Sequence, residues 1–224
     1  MIDRLLSFAA PHHCYGCGKI GTSICDHCKN DIVMEGNTTC IGCGLLAIKN
    51  GLCNECTWLY DKGWVVAAYD GVMERAIKGY KFNSERSLSR EFSDLLLVTL
   101  PVLPGSVIIA PVPTVRAHIR ERGFDHIERI AKRLARRTGA RYVAPLYRRT
   151  TTKQRGASRK VRIEQAKRAF GVSGVIDSSA TYLLVDDVVT TGSTIRYAAK
   201  ALRDAGATTI WVAALARQDS TKTD

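Results

Sequence analysis

"TYLLVDDVVTTGSTIRYAAKALRDAG", residues 181–206, decides the fold. Its first nine residues form an apolar run that takes in two adjacent acids, as expected of a central parallel strand reaching its carboxyl-end loop. "STIRYAAKALRDAG" then places Ile195, Ala198, Ala199 and Leu202 on one helical face, with Gly206 as the stop. "TTIWVAALA" follows as a second buried strand. Strand, loop, helix and strand make a doubly wound α/β unit, whose ligands sit beyond the strand ends.

Upstream segments fit the same architecture. "WVVAAYD" reads as a strand, "VMERAIKGYKF" as the helix leading out of it, and "SVIIAPVP" as a short buried strand ending in prolines. In "DHIERIAKRLARRTG", Ile127, Ile130, Ala131, Leu134 and Ala135 define an amphipathic helix. Asp125 and Glu128 make a capping-box pattern at its start, and Gly139 ends it. The opposite face carries Arg129, Lys132, Arg133, Arg136 and Arg137.

The loop after the acids is small and hydroxyl-rich. Thr190, Thr191, Gly192, Ser193 and Thr194 run into a helix N-terminus, where backbone N–H groups, hydroxyls and the helix dipole favour a small anion. The cup contains no lysine, so it is not the nucleotide P-loop pattern. Asp186 and Asp187 beside it offer acceptors. A phosphate flanked by acceptor carboxylates describes a ribose 5-phosphate with vicinal hydroxyls. A Mg²⁺ site or a simple helix cap is the other use of two acids at a strand end.

All eight cysteines fall in the first quarter of the 224-residue chain, as four CxxC pairs. The Cys14–Cys28 unit is echoed by Cys40–Cys56, each opening with a CxxCG turn whose amides can point at sulfur. Four-thiolate tetrahedral zinc suits this spacing; disulfides and an iron–sulfur cluster are the alternatives. The repeat implies sequential sets, Cys14, Cys17, Cys25 and Cys28 with Cys40, Cys43, Cys53 and Cys56, though cross-braced sets remain open. A closed four-thiolate site leaves no position for substrate, so two structural zinc ions are expected. Residues 1–60 then form the metal module, 61–217 the α/β domain and 218–224 a tail.

The net charge of +12 is localised: residues 116–168 hold 18 Lys/Arg against 4 Asp/Glu, leaving the remainder slightly acidic. Such a window suits a polyanionic or phosphorylated partner. The longest uncharged run, Leu95–Val115, is interrupted by Pro101, Pro104, Gly105, Pro111 and Pro113, so no membrane insertion is expected. No export signal is evident, which predicts a cytoplasmic protein.

The acid-and-hydroxyl stretch closely resembles the 5-phosphoribosyl-1-pyrophosphate (PRPP) motif of type I phosphoribosyltransferases. The wider chain, from Cys14 to about Arg217, resembles the ComF (ComFC) competence proteins, a double zinc module fused to such a domain. "KF" at 81–82, "APVP" at 110–113, "RERGFD" at 120–125 and "QRGASRKVRIEQAKRAF" at 154–170 share in the resemblance. It implies that Asp186 and Asp187 contact the ribose hydroxyls, directly or through metal-bound water, and that Thr190 to Thr194 bind the 5-phosphate. It also implies Mg²⁺ with PRPP, Arg120 and Arg122 on the pyrophosphate side, and a mobile loop at 148–162 with Gln154, Arg159 and Arg162 as matching positions. Asp125 and Gln165 stand where the family commonly has Asn.

The resemblance further implies a cytoplasmic role with incoming single-stranded DNA in natural transformation. Arg129, Lys132, Arg133, Arg136 and Arg137 would then meet DNA phosphates, with Phe82, Phe124, Tyr142 and Tyr147 as candidate stacking groups. Competence or recombination proteins would dock on the zinc module. The alternative is an active Mg-dependent transferase, displacing pyrophosphate from ribose C1 with a base nitrogen. The last strand runs into "WVAALARQDSTKTD", which offers no recognisable base-binding group or general base.

Overall fold

The computed structural model describes residues 12–36, 39–48, 51–56, 59–83, 85–149 and 169–218. A helix α1 (Asp26–Gly36) precedes strand β1 (Lys62–Ala68), helices α2 (Gly71–Phe82) and α3 (Leu88–Thr99), and strand β2 (Val107–Pro111). Then come α4 (Arg116–Arg122), α5 (His126–Thr138), β3 (Arg141–Tyr142), β4 (Leu146–Arg148) and β5 (Phe170–Val172). The chain closes with β6 (Thr181–Val189), α6 (Ser193–Asp204) and β7 (Thr209–Arg217).

Five strands form one sheet in the order β1-β7-β6-β2-β3, and every pairing in it is parallel. The central strands are buried on both faces, which is why they read as unbroken apolar runs. Alternation divides them between two cores. Leu183 and Val185 of β6 pack with Tyr80 of α2, Phe92 of α3 and Leu134 of α5. Tyr182 and Leu184 pack with Ile195 and Leu202 of α6, and with Leu146 and Phe170 of the β4–β5 ribbon. That antiparallel ribbon lies on the α6 side.

Asp125 caps α5 as the sequence predicts, accepting from the backbone N–H of Ile127 and Glu128 at 3.0 and 3.1 Å. The five expected apolar residues of α5 are buried, and so is His126.

The cysteine-rich segment sits against the β1 edge, one unit on each face. Cys14, Ile24, Cys28 and Ile32 join the core under α2 and α3, while Ile41 joins the core under α6. Two glycines permit this approach. A Cβ on Gly79 would come within 2.0 Å of the Tyr15 hydroxyl, and one on Gly63 within 2.5 Å of Ile41. A side chain at either position would force Tyr15 or Ile41 out of its present contact.

Candidate functional site

The cysteines form two groups in sequential order, Cys14, Cys17, Cys25 and Cys28, and Cys40, Cys43, Cys53 and Cys56. Within each, the four sulfurs lie within 4.8 Å of one another, so each group could hold a metal ion. A tetrahedral ion with bonds of about 2.3 Å sets sulfurs roughly 3.8 Å apart, close to the 3.6 Å between Cys17 and Cys25 and the 3.5 Å between Cys43 and Cys53. Burial opposes ionisation of Cys14, but the backbone N–H groups of Cys17, Cys25 and Gly16 outweigh it and lower the thiol to about 6. That is the service expected of the CxxCG turn.

The second cluster is built where β6 ends. Successive residues of a strand point to opposite faces. Asp187 therefore turns toward α2 and α5, and Asp186 toward β4. Both are buried, at 8% and 9% exposure. Lys81, at the last turn of α2, pairs with Asp187 Oδ2 at 2.5 Å. His126, the first residue of α5, places Nε2 2.6 Å from the same oxygen. Arg122 lies 3.1 Å from His126 Nδ1. A carboxylate has only acceptors, so Nε2 carries a proton toward Asp187. The other carboxylate oxygen, Oδ1, accepts from the Val188 N–H at 2.6 Å.

These contacts split the acids electrostatically. Burial works against ionised Asp187, yet the His126 hydrogen bond and the Lys81 charge prevail and hold it well below the usual carboxylate range. Burial and the charge of Asp187 push Asp186 up to about 8, with Lys81 and Arg148 opposing only in part. Asp186 Oδ1 accepts from the Asp187 N–H at 2.9 Å. Arg148, at the end of β4, donates from Nε to the Pro113 carbonyl at 2.7 Å and stacks 4.8 Å from the centre of Phe170.

A cavity of about 260 Å³ gathers Lys81, Arg122, Arg148, Asp186, Asp187 and Thr194. Gly192 leads into α6 with φ 71°, the left-handed region that favours glycine, and α6 has no side-chain cap. Thr190, Thr191, Ser193 and Thr194 are exposed. Thr191 and Ser193 hydroxyls bond to each other at 2.9 Å, beside the backbone N–H groups of the first helical turn. Carboxylates and cations thus face one small space, whose lining includes Thr194 from the hydroxyl loop but not Thr190, Thr191, Gly192 or Ser193, and the arrangement suits a phosphorylated polyol.

Residues 125–224 match the phosphoribosyl transferase domain family. The chain is 27% identical to "Competence protein F" of Haemophilus influenzae, covering 86% of this chain and 96% of that protein. It is 24% identical to "Competence protein ComFC" of Bacillus subtilis, covering 82% and 79%. It is 30% identical over 208 residues to "DNA utilization protein YhgH" of Escherichia coli O6:H1, covering 87% and 90%. The chain belongs to the ComF family. Its architecture is that family's, a phosphoribosyltransferase-like parallel sheet with helices on both faces and a double cysteine-rich module before it.

In this ComF-family chain the remaining candidate residues fall unevenly. Arg122 lines the cavity, whereas Arg120, on the same short helix, is exposed outside its lining. Gln154, Arg159 and Arg162, and Gln165 with them, lie outside the described residues. Of the α5 basic residues, Lys132 pairs with Glu128 at 2.6 Å and Arg137 with Asp94 at 2.8 Å. Arg129, Arg133 and Arg136 have no carboxylate partner among the described residues. Among the aromatic candidates, Phe124 packs on Tyr80 at 5.4 Å and Tyr142 is half-buried under Lys132. Phe82 and Tyr147 are exposed, at 67% and 44%.

Sequence reasoning missed His126 as a site residue. The signal was present: a polar side chain at the first position of an apolar helical stripe, four residues before Ile130. No helix among the described residues is long and apolar enough to cross a membrane.

Proposed function

We propose that this chain is a ComF-type competence protein that handles incoming single-stranded DNA in the cytoplasm during natural transformation, and that its β6–α6 site binds PRPP. The observation that carries the PRPP half is the convergence of Asp186, Asp187, Lys81 and the uncapped start of α6 on one cavity of about 260 Å³. Thr190, Thr191, Gly192, Ser193 and Thr194 would take the 5-phosphate, with hydroxyls and backbone N–H groups as donors. Asp186 would accept from the ribose hydroxyls. Asp187, already engaged by Lys81 and His126, would keep those two groups in place. Arg122 and Arg148 supply positive charge for the diphosphate.

Mg²⁺ fits this donor set through Asp186, whose carboxylate has one oxygen bonded to the Asp187 N–H and the other available among the described residues. When bound, the ion would neutralise diphosphate charge. Zinc fits both four-thiolate groups, and residues 1–60 would act as a structural module through which competence or recombination proteins dock. Residues 61–217 would form the PRPP-binding domain. The name and extent of the relatives support the DNA half, as does the α5 basic stripe.

The test is calorimetry of PRPP with Mg²⁺, alongside pyrophosphate release across a panel of nucleobases. Binding without release, lost in Asp186→Asn, is the expected result. Release with one base would make the chain a transferase. Unchanged affinity in the variant would remove the site assignment.

A further inference from the structure

About two turns along α5 from His126, a separate pocket of about 240 Å³ opens between α3 and α5, lined by Arg90, Ser93, Asp94, Arg133, Arg136 and Arg137. We propose that this pocket is a second anion site, built to receive one phosphate group.

The periodicity of two helices creates it. Arg90, Ser93 and Asp94 fall at i, i+3 and i+4 on α3, and Arg129, Arg133, Arg136 and Arg137 at i, i+4, i+7 and i+8 on α5. The helices pack together through Phe92, Leu96, Ile130 and Leu134, which brings the two polar rows to one groove. Four guanidiniums face a single carboxylate there, and Asp94 is already taken by Arg137 at 2.8 Å. Arg90, Arg133 and Arg136 therefore line the groove with no ion pair of their own among the described residues, Asp94 being the one carboxylate in its lining. Burial, with the charges of Arg129, Arg136 and Arg90 close by, pulls Arg133 below the ordinary arginine range.

The floor of the groove gives an independent sign of a ligand. Ser93 is 1% exposed, and its hydroxyl has no hydrogen-bond partner. Other hydroxyls of the same helix have backbone acceptors, Ser89 the Arg86 carbonyl just before the helix at 2.7 Å and Thr99 the Leu95 carbonyl at 2.9 Å. Arg133 Nε is likewise buried and unpartnered. Buried donors of this kind are costly unless something accepts from them. A tetrahedral oxyanion supplies those acceptors: one oxygen for the Ser93 hydroxyl, another for Arg133 Nε–H, and the rest for the forked guanidiniums of Arg90 and Arg136. The occupant is either a phosphodiester of single-stranded DNA or a free phosphate, and the chemistry is common to both.

The site does not depend on PRPP binding at β6–α6. The test uses the full metal-loaded chain, titrated separately with inorganic phosphate and with a twelve-residue oligothymidylate at low salt. A Thr191→Ala/Ser193→Ala background removes two hydroxyls of the β6–α6 cup, so that a change on top of it reports the α3–α5 pocket. Arg133→Gln and Arg90→Gln should each weaken phosphate about tenfold, the worth of a charge-assisted hydrogen bond, while Lys200→Gln, a charge-matched change on α6, should not. Ser93→Ala should leave or raise the melting temperature without ligand and diminish the rise that phosphate produces. Parallel weakening of the oligonucleotide assigns a DNA phosphate to the pocket. Weakened phosphate with unaltered oligonucleotide binding assigns a free phosphate. If Arg133→Gln and Ser93→Ala change neither titration beyond Lys200→Gln, the pocket is a solvated groove and the proposal fails. Absence of oligonucleotide binding by the unmodified chain would instead count against the DNA-handling reading alone.

Discussion

Asp186 and Asp187 are neighbours in the chain but occupy opposite faces of the sheet, and their surroundings differ accordingly. On the α2–α5 face, Asp187 is surrounded: Lys81 and His126 share one oxygen and the Val188 N–H takes the other. On the β4 face, Asp186 has one backbone N–H as a hydrogen-bond donor, with the Arg148 guanidinium engaged on the Pro113 carbonyl. Beyond it the α6 start presents exposed hydroxyls and no cap. One face of the site is complete within the protein, and the other is arranged for something to be added. The lesson is that adjacent carboxylates in a motif need not share a role: one can organise the site while the other meets the ligand.

The sharpest way to break this contrast is to remove each carboxylate in turn. Asp187→Ala strands a half-buried lysine and a buried histidine, and should cost about 3 kcal/mol in chemical denaturation, toward the low end of the penalty for breaking a buried pair. Asp186→Ala should cost clearly less. Equal losses would mean that the two faces are not distinct.

A second contrast comes from pH. The folded-state pKa of Asp186 is raised above that of the unfolded chain, so protonation favours the fold. That contribution is full below the unfolded value of about 4 and declines as pH rises toward about 8. Asp186→Asn does not titrate, so its stability relative to the native chain should improve steadily across that window and then level off. A pH-independent difference would place Asp186 in a far more open setting. Asp187 behaves oppositely: its pKa is lowered, and its contribution is lost only as pH falls below the unfolded value.

The smallest expected effect lies at the loop. Gly192 holds φ 71°, where an L side chain is strained. Gly192→Ala should cost about 1 kcal/mol of stability while reducing PRPP affinity by a larger factor than that strain implies. Equal, small changes in both would mean that the loop is only a turn.

Much of this molecule was readable from one segment. The apolar run of β6, the helical spacing after it and the burial of β7 specify a parallel α/β sheet, because strands covered on both faces cannot carry polar alternation. The α5 stripe and its Asp125 cap were equally legible, being set by local spacing. The CxxC repeat marked both cysteine groups. It left their pairing open, which the fold resolved by seating each unit on its own face of β1.

The candidate site was legible as a list of residues and not as an arrangement. Asp186, Asp187 and the hydroxyl loop announce themselves in one line of sequence. His126 did not, because its partner Asp187 is 61 positions away. The division between Arg120, exposed, and Arg122, in the cavity, depends on how α4 is turned against α2. The α5 arginines looked like one uniform face, yet Glu128 and Asp94 occupy two of the five and Ser93 lies beneath a third group.

The sequence by itself determined which residues alternate, cap, ligate and carry charge, since those properties depend on spacing within a few residues. Only the tertiary structure decided which charges are spent on one another. Pairing energies depend on distance and burial, and both are set by how β6, α2, α3 and α5 pack. That packing gives Asp187 two partners, leaves Asp186 with one backbone donor, and sets three guanidiniums and a buried hydroxyl around a groove whose one carboxylate, Asp94, pairs with a fourth.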